Sequence, residues 1–228
     1  MSDPQRREAA RTLRQMLDWS FEETVQPDYR GFRADPELSS SLAAAGDEMD
    51  LMLDVGLIWH AKTTLQCARL FEPYRLAWIE EPLHPEDLAG YAKVAESTDV
   101  KIAAGEEECT VAGFTRLMDL GRIDVVQVDL IRCGLTQAMQ IAALAAQRGL
   151  PVINHNFTTD INVAASLHFI ASVPNAFIME YCVEPSEISR SLARSSIPIF
   201  DGHATVPEDP GLGAEPDPAI IEKYPVRD

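Results

Sequence analysis

The stretch RLAWIEEPLHPEDL (residues 75–88) runs apolar from Leu76 to Ile79 and then stops on Glu80, Glu81 and Pro82. A short apolar run bounded by turn residues reads as a buried strand. The segment after it, PEDLAGYAKVAES, has the spacing of an amphipathic helix. The same pairing recurs along the chain. DLMLD (50–54), LAWIE (76–80), KIAAGE (101–106), DVVQVD (124–129), PVINH (151–155) and AFIME (176–180) read as strands. AKTTLQCARLFEPY, TVAGFTRLMDLGR and LTQAMQIAALAAQRG read as helices, with Gly149 where a C-terminal cap glycine belongs. Strands alternating with helices predict parallel βαβ units.

Each strand-like run ends on a residue that can bind a metal or move a proton: Asp54, Glu80, Glu106, Asp129, His155 and Glu180. The steps between them are 26, 26, 23, 26 and 25 residues. A unit of a (β/α)8 barrel takes about 30 residues, and the C-terminal ends of its strands face one opening where the active site lies. The period therefore predicts an α/β fold of the (β/α)-barrel type, with six functional groups turned toward one pocket. Singly, each carboxylate has an ordinary alternative role, since an acid after a strand caps the next helix. The steady period is what speaks for chemistry.

The composition agrees with a soluble globular protein, with 46% hydrophobic and 24% charged residues. Thirty-six acidic against 19 basic residues give a net charge of −17, which argues against nucleic acid or an anionic membrane as partner. No apolar run approaches the roughly 20 residues of a membrane span, and MSDPQRREAA has no signal-peptide core. Cys67, Cys109, Cys133 and Cys182 lack CxxC spacing and read as reduced packing residues of a cytoplasmic protein.

Asp54, Glu80 and Glu106 come from three successive strands. Three hard oxygen ligands with further positions open to water or substrate suit Mg²⁺ better than zinc, which prefers His and Cys. Without a cation the three anions would repel one another. Asp129 and His155 follow on neighbouring strands, and a carboxylate beside an imidazole sets its tautomer and raises its basicity. With Glu180 as an acid on the next strand, the set suits removal of a proton α to a carboxylate, with the developing charge stabilised by a cation and a hydrogen bond.

These motifs resemble the enolase superfamily, in particular its mandelate racemase-like group with its acid-sugar dehydratases. The superfamily's tuned bases with Mg²⁺ are a known pattern. LMLDVG with Asp54, WIEEP with Glu80 and AAGEEE with Glu106 resemble its three metal ligands. VQVD with Asp129 and INHN with His155 resemble its dyad, MEY with Glu180 its enediolate-stabilising acid, and VPEDPGLG its return segment. The resemblance covers residues 48 to 216 and implies an Mg²⁺-dependent lyase that dehydrates a sugar acid to a 2-keto-3-deoxy acid. A racemase or epimerase of a 2-hydroxy acid is the first alternative, and an inactive, truncated metal-binding barrel the second.

Relatives of this kind carry an α+β capping domain and commonly a Lys-x-Lys pair before the first metal ligand. Here 53 residues precede Asp54 and the first lysine is Lys62. The expectation is an incomplete barrel without that cap, with Arg30 or Arg33 of YRGFRAD binding a substrate anion in place of the lysines; an arginine stays protonated and makes a poor base. The expected divisions are a helix and degenerate first units over 1–49, a barrel core over 50–196 and a return segment over 197–228. An open sheet edge predicts a homo-oligomer that covers it.

Asn154, Asn156 and His60 are further candidates for substrate contact, while His84, His168 and His203 read as ordinary histidines. Glu81 and Pro82 read as shaping the turn after their strand, Glu107 likewise with a supporting role at the site as its alternative, Arg132 as a helix start or anion contact, and IFDGHATV as a hairpin with an Asp-Gly turn.

Overall fold

A parallel strand whose sheet is covered on both faces can be buried along its whole length. That is the situation of WIE in the computed structural model, which describes residues 49–183, 186–194 and 196–225. The expected N-terminal helix, the YRGFRAD strand and Arg33 lie outside the described residues. The chain divides into two compact units, one of the described residues to Ala103 with Leu120–Ile123, the other of Ala104–Asp119 and the residues from Asp124 onward.

In the first unit β1 (Met52–Asp54), α1 (Ala61–Phe71), β2 (Trp78–Glu80), α2 (Leu88–Ala95) and β3 (Ile102–Ala104) follow in order. β2 lies between β1 and β3, parallel to both, with Asp54 opposite Glu80 and Glu80 opposite Ala103. All three β2 residues are buried. The pairing runs on past the strands: Val55 N–H donates to the Glu80 carbonyl at 3.0 Å, Leu57 to Glu81 at 2.7 Å and Trp59 to Pro82 at 3.1 Å. α1 turns Thr64, Cys67, Ala68 and Phe71 inward, the i, i+3, i+4, i+7 face of an amphipathic helix. Each large apolar side chain so buried contributes about 1.5–3 kcal/mol. Asp87 starts α2 by accepting from Gly90 N–H at 2.9 Å.

Glu81 takes the turning role expected of it. Its φ is 38°, a left-handed value that costs a non-glycine residue about 1–2 kcal/mol. Its side chain is 1% exposed, and the Tyr91 hydroxyl stands 2.8 Å from both Glu81 Oε2 and the Leu83 carbonyl.

The second unit holds α3 (Val111–Arg116), β4 (Val125–Asp129), α4 (Leu130–Gln147), β5 (Val152–His155), α5 (Asp160–Ser172), α6 (Glu187–Ser191), β6 (Ile199–Phe200), β7 (His203–Ala204) and α7 (Pro218–Lys223). β4 and β5 are parallel with Val126 opposite Val152 and Asp129 opposite His155, and every β4 residue is buried. α4 breaks at Gly134 (φ 70°, ψ 156°) and then buries Ala138, Ile141, Ala142 and Ala145 at helical spacing. Gly149 closes it as expected, with φ 71° and its N–H donating to the Ala146 carbonyl at 3.0 Å. The Asp-Gly hairpin also forms, with Asp201 at φ 49° and Gly202 at φ 75° joining antiparallel β6 and β7.

Three expectations need correction. TVAGFTRLMDLGR is not one regular helix: Leu117–Gly121 winds as a wider π-helical stretch that keeps the consecutive Leu117 and Met118 both buried. AFIME is not a strand, because only Ala176 bridges β5, at Val152, and residues 177–180 leave the ladder. All four cysteines are free, but only Cys67 and Cys133 are buried, and Cys109 is exposed. Among the described residues, no helix is long and apolar enough to cross a membrane.

Gly105 shows how tightly the residue before Glu106 is held. Its φ is +138°, and a Cβ there would lie 2.3 Å from the Gln127 carbonyl oxygen and 2.6 Å from Phe114 Cε1. Gly105→Ala is expected to destabilise the protein by on the order of 2–3 kcal/mol, through strain and overpacking together. A shift of the urea midpoint with unchanged slope would register it, and an unchanged midpoint would refute it.

Candidate active site

Parallel register alone brings Asp129 beside His155, since the last residues of β4 and β5 are partners. Asp129 Oδ2 lies 2.9 Å from His155 Nδ1, and Asp129 is 2% exposed. Its other oxygen, Oδ1, accepts from Ile131 N–H at 2.9 Å and from Asn162 Nδ2 at 3.4 Å. The ordinary role of an acid after a strand and the chemical one are therefore filled together: one oxygen caps α4, the other orients the imidazole. With Nδ1–H directed at Asp129, Nε2 is the nitrogen available for proton transfer. Nε2 stands 3.4 Å from Glu106 Oε2, and both side chains are 16% exposed.

Burial by itself pushes the His155 pKa down from 6.5, but the Asp129 hydrogen bond and the negative charges of Glu106, Glu180 and Asp129 outweigh it and carry the value up to about 9. The sign follows for stability. A raised folded-state value means the charged imidazole stabilises the fold fully below pH 6.5, and that contribution is lost as pH rises through about 9.

Glu180 reaches this cluster without a strand beneath it. Asn154, wholly buried at the end of β5, donates from Nδ2 to the Glu180 carbonyl at 3.0 Å and accepts at Oδ1 from the Glu180 N–H at 3.0 Å. The amide side chain thus reproduces the pair of bonds a neighbouring strand would make. Asn154, expected as a substrate contact, has both ends of its amide committed to this backbone. Asn156 N–H donates to Glu180 Oε2 at 3.3 Å, so the acid's side chain is held as well. Asn162 is the residue that sequence reading passed over: it lies between Asp129 and Asn156, donating to Asn156 Oδ1 at 3.2 Å. Its signal was present in DINVAASLHFIAS, a mostly apolar helix in which Asn162 and Ser166 are one turn apart and both buried.

Arg132 pairs with Glu107 at 2.8 Å on the surface. His168 Nε2 faces the Leu212 carbonyl at 3.3 Å and His203 Nδ1 the Asp201 carbonyl at 2.7 Å, both structural.

In the first unit Asp54 and Glu80 end adjacent strands in register. Asp54 is exposed and its Oδ1 accepts from Gly56 N–H at 2.9 Å, which shapes the turn. Glu80 is 8% exposed and Oε2 accepts from Trp78 Nε1 at 3.2 Å. His60 is exposed at the start of α1. Asp54 and Glu80 are carboxylates whose oxygens suit Mg²⁺ in chemistry, and Glu106 of the second unit is of the same type. Among the described residues, no three His, Cys, Asp or Glu side chains are gathered into a metal-holding group.

A family model described as "Enolase C-terminal domain-like" matches residues 8–220. The D-gluconate dehydratase of Thermoproteus tenax is 30% identical over 208 residues, covering 90% of this chain and 41% of that protein. The D-galactarolactone cycloisomerase of Agrobacterium fabrum is 30% identical over 184 residues, covering 75% of this chain and 48% of its own. The chain therefore spans less than half the length of these relatives. A crystal structure of an enolase superfamily member from Polaromonas sp. JS666 superposes with a TM-score of 0.77 at 34% identity, over 83% of this chain and 52% of that one.

A proton-resonance titration without added divalent cation is expected to show His155 charged at neutral pH, with a midpoint near 9. Asp129→Asn should lower that midpoint, because it removes a charged acceptor. A wild-type midpoint at or below 6.5 would contradict the geometry described.

Proposed function

Because the chain belongs to the enolase C-terminal domain-like family, we propose that it removes the proton α to the carboxylate of a sugar acid and eliminates the β-hydroxyl, giving a 2-keto-3-deoxy acid. The observation that carries this reading is the part-buried Asp129–His155 pair, in register and flanked by Glu106 and Glu180. The relatives reported above, among them a sugar-acid dehydratase, support the reaction class.

His155 Nε2 takes the α-proton while Asp129 Oδ2 holds Nδ1–H and stabilises the imidazolium that results. Electron density moves onto the carboxylate as an enediolate. Glu180 is placed to donate a hydrogen bond to that charge once it carries a proton; its backbone is pinned by Asn154 and its Oε2 by Asn156 N–H. The β-hydroxyl then leaves as water, its proton returned by His155, and the enol tautomerises to the keto acid. A dehydration can work with base and acid on one face and then needs no second base, which ranks elimination above racemisation.

Asp54, Glu80 and Glu106 are the residues that would hold Mg²⁺, as the family pattern assigns them. When bound, the ion supplies positive charge for the substrate carboxylate and compensates the ligand anions. With its charge so compensated, Glu106 would raise the His155 pKa less.

The test is a screen of sugar acids for 2-keto products with and without Mg²⁺. His155→Asn is expected to lower turnover by roughly a thousandfold, within the usual range for a general base. Calorimetric Mg²⁺ binding should survive that change and be lost in Asp54→Asn. Turnover retained by His155→Asn would remove the histidine from the mechanism.

A further inference from the structure

Helix α5 is built to pack, with Val163, Ala164, Leu167 and Phe169 buried along it. Asn162, in the same helix, is 2% exposed, and its Oδ1 is buried with no protein partner. An apolar residue of similar size would bury there without any polar group to satisfy, whereas a half-satisfied amide is destabilising. Packing therefore does not account for an asparagine at this position. What its other end holds does.

The NH₂ end carries two hydrogens and directs them at two different elements. Nδ2 stands 3.4 Å from Asp129 Oδ1, at the end of β4, and 3.2 Å from Asn156 Oδ1, just past β5. A carboxylate only accepts, which fixes the orientation of the Asn162 amide and makes Asn156 Oδ1 an acceptor. Asn156 in turn donates its backbone N–H to Glu180 Oε2 at 3.3 Å. The line Asp129, Asn162, Asn156, Glu180 thus joins the carboxylate that orients the imidazole to the acid beyond β5. A separate connection runs beside it: Asn154 holds the Glu180 backbone and takes no part in the Asn162 contacts. One connection places the Glu180 main chain, and the other bears on its side chain.

We propose that Asn162 is a positioning residue that ties the angle of the Glu180 carboxyl to the Asp129–His155 pair, so that base and acid keep one spatial relation through turnover. The inference rests on reading His155 as base and Glu180 as acid toward a sugar acid. Asn162 acts through Asp129 and Asn156 and moves no proton itself.

Backbone amide hydrogen exchange of the full chain, followed residue by residue by NMR, tests the tie without any substrate. Asn162→Leu fills the helix position and removes both bonds. The Asn156 N–H is then expected to exchange about tenfold faster, the scale of one lost hydrogen bond, while the Glu180 N–H, held by Asn154, keeps its rate. Ser166→Ala is the control for a merely structural effect. Ser166 is buried one turn further along the same helix with its Oγ unpartnered, and its loss should move neither rate. Asn162→Ala adds no bulk and decides the matter should the leucine variant fail to fold. In turnover assays with the sugar acids of the screen above and Mg²⁺, either Asn162 variant should lower kcat about tenfold and leave KM within about twofold, since a misplaced acid weakens transition-state stabilisation rather than binding. Unchanged Asn156 exchange, or equal acceleration in Ser166→Ala, would overturn the tie and leave the sugar-acid reading intact. Unchanged kcat, or a change in KM alone, would overturn the positioning role. A wild-type chain that turns over none of the sugar acids would bring down that reading and the catalytic role of Asn162 with it, and the exchange rates would still decide the tie.

Discussion

Asp129 sits where β4 ends and α4 begins, and its two carboxylate oxygens serve different masters. Oδ1 starts the helix and Oδ2 holds the imidazole. Both contacts depend on the parallel register of β4 and β5, which makes Asp129 and His155 partners, and on the burial of β4, which keeps water from competing. A carboxylate so placed is an electrostatic anchor for the basicity of His155, for the beginning of α4 and, through Asn162, for the orientation of Asn156. Folding and chemistry thus draw on one side chain, and a change that spares the helix start could still misplace the base.

Much of this was legible in the primary structure because strand ends obey a simple rule. A run that is apolar and then abruptly acidic can satisfy both demands only by burying the run and turning its end toward a polar opening. Glu80, Asp129 and His155 all end strands as that rule requires. Glu81, Gly149 and the Asp201–Gly202 turn were readable for a similar reason, since each answers a local backbone demand that residue type announces.

What escaped were side chains that replace backbone. The sixth run has the composition of a strand, yet its backbone at Glu180 is bonded to the Asn154 amide, and no period or propensity encodes a side chain standing in for a ladder. Asn162 was missed because its partners are 33 residues back in the chain and 6 residues back, in different elements. The exposure of Cys109 was equally invisible, because a cysteine's spacing says nothing of which side of a loop it takes.

The Asn154–Glu180 clasp carries an implication for how such a site diversifies. His155 belongs to a strand whose position is fixed by a whole ladder of backbone bonds, whereas the Glu180 backbone is bonded to a side-chain carboxamide. The two halves of the proposed catalytic apparatus are therefore mechanically unequal. Substitution at one asparagine can swing the acid to a new angle while the base stays where the sheet put it. Lineages built on this plan can explore different fates for a common intermediate by re-hanging one arm, without rebuilding the step that creates it.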